Sequence, residues 1–169
     1  MSELSPVEWA VRPLKCYAQF SGRASRAEYW WFILAFTLIG LALEYVDEAL
    51  GGPVVGAYGP LSLIFEILLL VPGLAVQVRR LHDIDRSGWW VLLGAGSYGI
   101  LISTLLVPDP TQLLESIQNS SVGILLALVV AFIISAVVML VFMITRGDDG
   151  RNRFGDDPYG PGRLDEIFA

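Results

Sequence analysis

The sequence predicts an all-α integral membrane protein: a four-helix transmembrane bundle with a polar cap on its cytoplasmic side. Three observations carry that prediction. Of 169 residues, 54% are hydrophobic and 17% are charged, against roughly 25% charged in an ordinary soluble domain. The apolar residues are gathered into four runs, 29–46, 58–78, 88–107 and 122–145, of 18, 21, 20 and 24 residues. All eleven Lys and Arg residues lie outside those runs, in alternate intervals between them. A bilayer core needs about 20 helical residues, and the runs hold only two charged residues, Glu44 and Glu66. A soluble helix would show a polar stripe at helical spacing; the run 122–145 has only Ser135 as an interior polar side chain.

Residues 1–28 form the first cytoplasmic segment. Trp9, Leu14, Tyr17 and Phe20 stand among Arg12, Lys15 and Gln19, the pattern of an interfacial helix, interrupted at Pro13. No short apolar core followed by small residues occurs there, so the segment does not read as a signal peptide. Ser25-Arg26-Ala27-Glu28 is a capping-box pattern that opens the first span with Tyr29-Trp30-Trp31. The second span carries Pro72-Gly73, a predicted kink, and ends at Arg79-Arg80, where positive charge suits the helix dipole. The third opens with Trp89-Trp90 after Ser87-Gly88. A short helix is expected in the loop before the fourth span, capped by Asp109 or Thr111, with Leu113, Leu114 and Ile117 toward lipid. The tail, 146–169, is rich in Gly, Asp and Pro and reads as turns without a core.

Orientation follows from Lys and Arg alone. Arg12, Lys15, Arg23 and Arg26 precede the first span; Arg79, Arg80 and Arg86 lie between the second and third; Arg146, Arg151, Arg153 and Arg163 follow the fourth. The loops 47–57 and 108–121 contain none. Both termini and the central loop are therefore placed in the cytoplasm. The net charge of −6 arises outside that face: its eleven basic and eleven acidic residues balance, and the excess acid is Glu44, Asp47, Glu48, Asp109 and Glu115, at or beyond the outer interface, together with Glu66. That distribution, with an acidic chain overall, argues against nucleic acid as a partner. A single cysteine, Cys16, excludes a disulfide scaffold. It reads as an inert thiol because nothing nearby supplies a base.

Three polar clusters fall on the cytoplasmic side: 20–30, 79–89 and 147–158. Arg79-Arg80-Leu81-His82-Asp83 followed by Arg86-Ser87-Gly88-Trp89-Trp90 is the most specific of them. With the opening Ser21-Gly22-Arg23…Arg26…Glu28-Tyr29-Trp30 and the closing Gly150…Asn152…Phe154-Gly155…Asp157-Pro158, it resembles the signature of a family of small bacterial inner-membrane proteins, domain of unknown function 805. The resemblance covers about Trp9 to Pro158. It departs at Ile84-Asp85, where the family more often has a small or polar pair. It implies a multi-pass protein of the bacterial inner membrane and supplies no activity.

The function expected from the residues is non-enzymatic: a cap that binds an anionic group, whether a lipid headgroup, a phosphate metabolite or an acidic partner segment. Ten Arg against one Lys favour planar, bidentate recognition. The candidate residues are Arg23, Arg26, Arg79, Arg80, His82, Asp83, Arg86, Asn152 and Asp157. The blander account of the arginines is that they fix orientation and snorkel to lipid phosphate. Within the cap, Arg23 or Arg26 with Asp83, and Arg79 or Arg80 with Asp157, are the ion pairs to look for. Membrane lipid is a partner on any reading. Two rivals stand beside it. Glu66, with Pro72 and the glycines of the third run, suits a small transporter or channel working as a homo-oligomer; its carboxyl serves equally as an interhelical hydrogen-bonding group. His82 beside Asp83 suits a relay pair in a membrane enzyme, without an accompanying nucleophile or second base. No cofactor or metal is expected, since His82 is the only histidine and zinc would have to rely on carboxylates. The tail residues Asp148, Asp149, Asn152, Asp156 and Asp157 are acidic, but their spacing is not that of an EF-hand. Gly94-Ala95-Gly96-Ser97-Tyr98-Gly99 matches a dinucleotide fingerprint inside an apolar run, where small residues for helix packing explain it better. Asn119-Ser120-Ser121 is a glycosylation sequon only in a eukaryotic secretory setting.

Overall fold

The computed structural model describes residues 4–52, 58–94 and 122–159, the side chains of 122–129 excepted. The regular elements among them are helices: α1 (Pro6–Lys15), α2 (Arg26–Leu50), α3 (Pro60–Asp83), a 3-10 helix over Gly88–Gly94, and α4 (Val122–Ile144). Among the described residues α2 and α3 are each long and apolar enough to cross a membrane.

α1 begins with a capping box that the sequence reading passed over. The Ser5 hydroxyl accepts from the Glu8 amide, the Glu8 carboxylate accepts from the Ser5 amide, and Pro6 occupies the first turn. The helix is not interrupted at Pro13. It runs on to Lys15, and Pro13, which has no N–H, leaves the Trp9 carbonyl without its intrahelical donor.

α2 starts where Ser25 accepts from the Glu28 amide. Only half of the expected capping box forms, because the Glu28 side chain turns to arginines instead. α2 and α3 pack as consecutive antiparallel helices, with the rings of Phe36 and Phe65 stacked at 6.1 Å. Their far ends are tied by Asp47. Its carboxylate accepts from the Leu61 and Ser62 amides at 3.1 and 2.8 Å, meeting two of the donors that a helix start leaves open. Gly59 permits this approach: a Cβ there would lie 2.2 Å from the Asp47 side chain.

Pro72 sits inside α3 and has no N–H for the carbonyl of Leu68. That carbonyl accepts from the Tyr17 hydroxyl at 2.7 Å, so the chain just after α1 repairs the gap the proline makes. The third run opens as a 3-10 helix rather than the α-helix expected there. Gly88 is pressed so close to Val78 that a Cβ would lie 2.8 Å from its Cγ1. Trp90 then rests edge-on against Phe142 of α4. The remainder of 88–107, the short external helix over 109–117, most of the glycine pattern and the sequon at Asn119 lie outside the described residues.

The buried apolar core is Ala24, Tyr29, Phe32, Val76, Leu81, Met139 and Met143. All sit near the start of α2, the end of α3 and the end of α4. Further along, Leu34, Leu38, Leu41, Ile64, Ile67, Leu68, Ile133, Ile134 and Val137 are exposed. Helices that are apolar outward and polar at one buried end invert the soluble pattern.

Candidate functional site

At that end the described residues bury four arginines, Arg12, Arg23, Arg79 and Arg80, and two acids, Glu28 and Asp83. They form two nodes. In one, Asp83 lies between Arg23, whose Nε donates to Oδ1 at 2.9 Å, and Arg80, whose Nη1 donates to Oδ2 at 2.5 Å. In the other, Glu28 takes Arg79 Nη1 at 2.7 Å, and Arg12 Nη1 lies 3.5 Å from its other oxygen. Charges withdrawn from water persist only where partners compensate them.

The Asp83 node is saturated. Arg23 also donates to the carbonyls of Asp148, Gly150 and Gly155. Arg80 donates to the carbonyls of Met143 and Thr145. These acceptors belong to the end of α4 and the turns after it, so the described turns, up to Tyr159, fold back onto the loop after α3. The Asp148 amide donates to the Asp83 carbonyl at 2.8 Å, and Gly147 lies flat against the Asp83 carboxylate, where a Cβ would come within 2.0 Å of Oδ2. Asn152 and Gly155 form a two-way backbone bridge.

The other candidates take quieter places. His82 Nδ1 faces the Gly22 carbonyl at 3.1 Å, and its ring stacks on Phe154 at 3.8 Å, nearly parallel. It does not meet the Asp83 carboxylate, so the relay pair of the rival enzyme reading is not formed among the described residues. The Asn152 side chain donates to the His82 carbonyl at 2.8 Å. Asp157 accepts from the Gly150 and Tyr159 amides; it pairs with neither Arg79 nor Arg80, which take Glu28 and Asp83. Of the two arginines considered for Asp83, Arg23 is the partner, and Arg26 is exposed. Arg86 is exposed too, with its guanidinium 5.8 Å from the centre of the Phe142 ring. Arg153 pairs with Asp85 at the surface. Far from the cluster, half-buried Glu66 lines a pocket of about 150 Å³ between α2 and α3, with Phe36, Thr37 and Gly73.

The Glu28 node differs from the Asp83 node in one respect. Among the described residues, Nε and Nη2 of Arg79, Nε and Nη1 of Arg12, and Oε2 of Glu28 are buried without a hydrogen-bond partner. Arg12 and Glu28 were missing from the expected site. Arg12 shares a helical face with Glu8 and Lys15 and so reads as the polar side of α1, and Glu28 reads as a helix cap; neither carries a signal of the contact it makes.

Residues 17–156 match the model of the family described as protein of unknown function (DUF805). The chain is similar to inner membrane protein YhaH of Escherichia coli K12, 36% identical over 152 residues that cover 90% of this chain and 97% of the relative. It is 34% identical to inner membrane protein YhaI of the same strain, covering 90% and 96%, and 26% identical to uncharacterized protein YiiR, covering 82% and 84%. No solved structure matches. With the all-α architecture and its apolar helices, these similarities show that the chain belongs to the DUF805 family, whose matched relatives include bacterial inner-membrane proteins.

Proposed function

We propose that the chain is a non-enzymatic, four-span protein of the inner membrane with both termini in the cytoplasm. Residues 4–28 and 146–159 fold over the inner ends of the spans as a polar cap, and the cap binds one anionic group. Orientation is supported by the Lys and Arg distribution, and the spans by the lengths of the apolar runs. The observation that carries anion binding is the charge of the cluster: four buried guanidiniums stand against two buried carboxylates.

The surplus is not equally available everywhere. Arg23 and Arg80 are occupied by Asp83 and by main-chain carbonyls. Exposed Arg26 and Arg86 form a rim that draws anions toward the cap without enclosing them. Native mass spectrometry of the protein released in mild detergent tests the reading. An anionic lipid, phosphorylated metabolite or acidic peptide is expected to remain bound in substoichiometric to equal amount. Release of a bare protein from several detergents, with no anion retained or rebound, would remove it. Reporter fusions at the two ends, both active only in the cytoplasm, check the orientation.

The pocket beside Glu66 favours a second reading, a small homo-oligomeric transporter that uses this carboxyl within the membrane. Its test is flux in liposomes under ion, proton and solute gradients, lost in Glu66→Gln. Equal flux from wild type and Glu66→Gln, or none from either, counts against it.

A further inference from the structure

We infer that Arg12 and Arg79 together hold the phosphate of one anionic membrane phospholipid, whose acyl chain lies in the groove between α1 and α2. The inference rests on the anion-binding reading above and says where the anion sits and what carries it.

Three observations lead there. The first is unfinished hydrogen bonding. Arg79 spends Nη1 on Glu28, which leaves its Nε and Nη2 without acceptors. Those two nitrogens share one edge of the guanidinium and form the fork that grips two oxygens of a phosphate. Arg12 likewise has Nε and Nη1 without hydrogen-bond acceptors. Both residues are 3% exposed, so bulk water does not make up the deficit, and a buried donor left unmet is costly. The Asp83 node has the same ratio of charges but finds its acceptors in the carbonyls of the chain.

The second observation is charge. Two guanidiniums face one carboxylate in the Glu28 node. One further negative charge balances it, and a phosphodiester carries one.

The third is the groove. Val7, Ala10 and Val11 of α1 and Trp31, Leu34 and Leu38 of α2 line an apolar channel of about 380 Å³. On α2 its wall ends at Trp31, one helical turn from Glu28, which meets Arg12 and Arg79. An apolar tail joined to a single negative head matches the two halves together; inorganic phosphate or an acidic peptide matches only the charged half. Arg12 is the moving part. Its 3.5 Å contact with Glu28 is the longest of the four buried ion pairs and lacks hydrogen-bond geometry, so Arg12 withdraws from Glu28 to admit the phosphate.

The test uses the full-length protein in detergent. Thermal stability is followed while phosphatidylglycerol, phosphatidylcholine or inorganic phosphate is titrated, for wild type, Arg12→Gln, Arg79→Lys and the surface control Arg153→Gln. Phosphatidylglycerol is expected to raise the wild-type melting temperature at concentrations where phosphatidylcholine and inorganic phosphate do not. Arg12→Gln and Arg79→Lys are expected to need at least tenfold more phosphatidylglycerol for half the effect, and Arg153→Gln to behave as wild type. Lysine keeps the charge of Arg79 and loses the fork. If Arg79→Lys fails to fold, Arg12→Gln, at the edge of the cluster, still decides. An unchanged phosphatidylglycerol response in Arg12→Gln overturns this site and leaves anion binding elsewhere on the cap intact. An equal response to inorganic phosphate overturns the lipid assignment. No preference for phosphatidylglycerol over phosphatidylcholine in the wild type, with no response to phosphate, overturns this inference and the anion-binding reading together, leaving the node to ordered water.

Discussion

Asparagine at position 83 keeps the shape of the aspartate and removes its charge. The side chains of Arg23 and Arg80 are both 0% exposed at this point, so Asp83→Asn strands two guanidiniums where water cannot reach them. Breaking a buried ion pair from one side costs about 3–5 kcal/mol. Here both arginines keep carbonyl acceptors, at Asp148, Gly150 and Gly155 for one and Met143 and Thr145 for the other. That places the expected loss at the lower end, about 3 kcal/mol, or roughly two orders of magnitude in the folding equilibrium. The matched control is Asp85→Asn. Asp85 also pairs with an arginine, Arg153, but the two side chains are 49% and 60% exposed, and such pairs contribute about 0–1 kcal/mol. Reversible unfolding in mixed micelles of mild detergent and dodecyl sulfate, read by tryptophan fluorescence, measures both. If Asp83→Asn costs no more than Asp85→Asn, the buried node does not hold the cluster together and the reasoning about burial is wrong.

Other consequences can be checked separately. Tyr17→Phe removes the hydroxyl that serves the Leu68 carbonyl and should cost about 0.5–1.5 kcal/mol; in a Pro72→Ala background, where an amide returns to that carbonyl, the same change should cost less, and an additive double mutant would disprove the link. Asp47→Ala leaves two amides of the first turn of α3 unmet and should lose about 0.5–2 kcal/mol in the same unfolding assay, while Asp47→Asn, which keeps an acceptor, should lose less. Ser5, through its hydroxyl and its amide, holds the Glu8 carboxyl below the ordinary carboxylate value. The capping box is therefore at full strength above that ordinary value and is lost as pH falls through the lowered one. A spin label at exposed Val7 should gain mobility over that acidic window in the wild type and be mobile already at neutral pH in Ser5→Ala.

The apolar runs announced α2, α3 and α4, because uninterrupted hydrophobicity over such lengths leaves few alternatives to a helix. They underestimated α2, which begins at Arg26 and ends at Leu50 rather than at 29 and 46: helical hydrogen bonding continues into polar residues that hydropathy excludes. Arg23, Arg79, Arg80 and Asp83 were recognisable as a polar constellation from their order in the chain. Their partners were not. Glu28 looked like the closing member of a capping box because that role is local, and the contact that wins is with Arg79, 51 residues away. Arg12 looked like the wet face of an interfacial helix until packing against α2 buried it. Tyr17 carried no sign that it would serve a carbonyl freed by a proline in another helix. The 3-10 opening at Gly88 depends on close approach to Val78, which spacing alone does not encode.

The saturated node also imposes an order on how the protein is made. The carbonyls that Arg23 and Arg80 use belong to residues 143–155, synthesised only after α1, α2 and α3. Until they emerge from the ribosome, both arginines have Asp83 alone, and the Arg26 end of α2 and the Asp83 end of α3 stay unsealed. The turns over 146–155 therefore act as a late fastening of the fold, and a nascent chain stalled before Arg146 would leave the Arg23 guanidinium short of its carbonyl acceptors, an open seam for a protease to find.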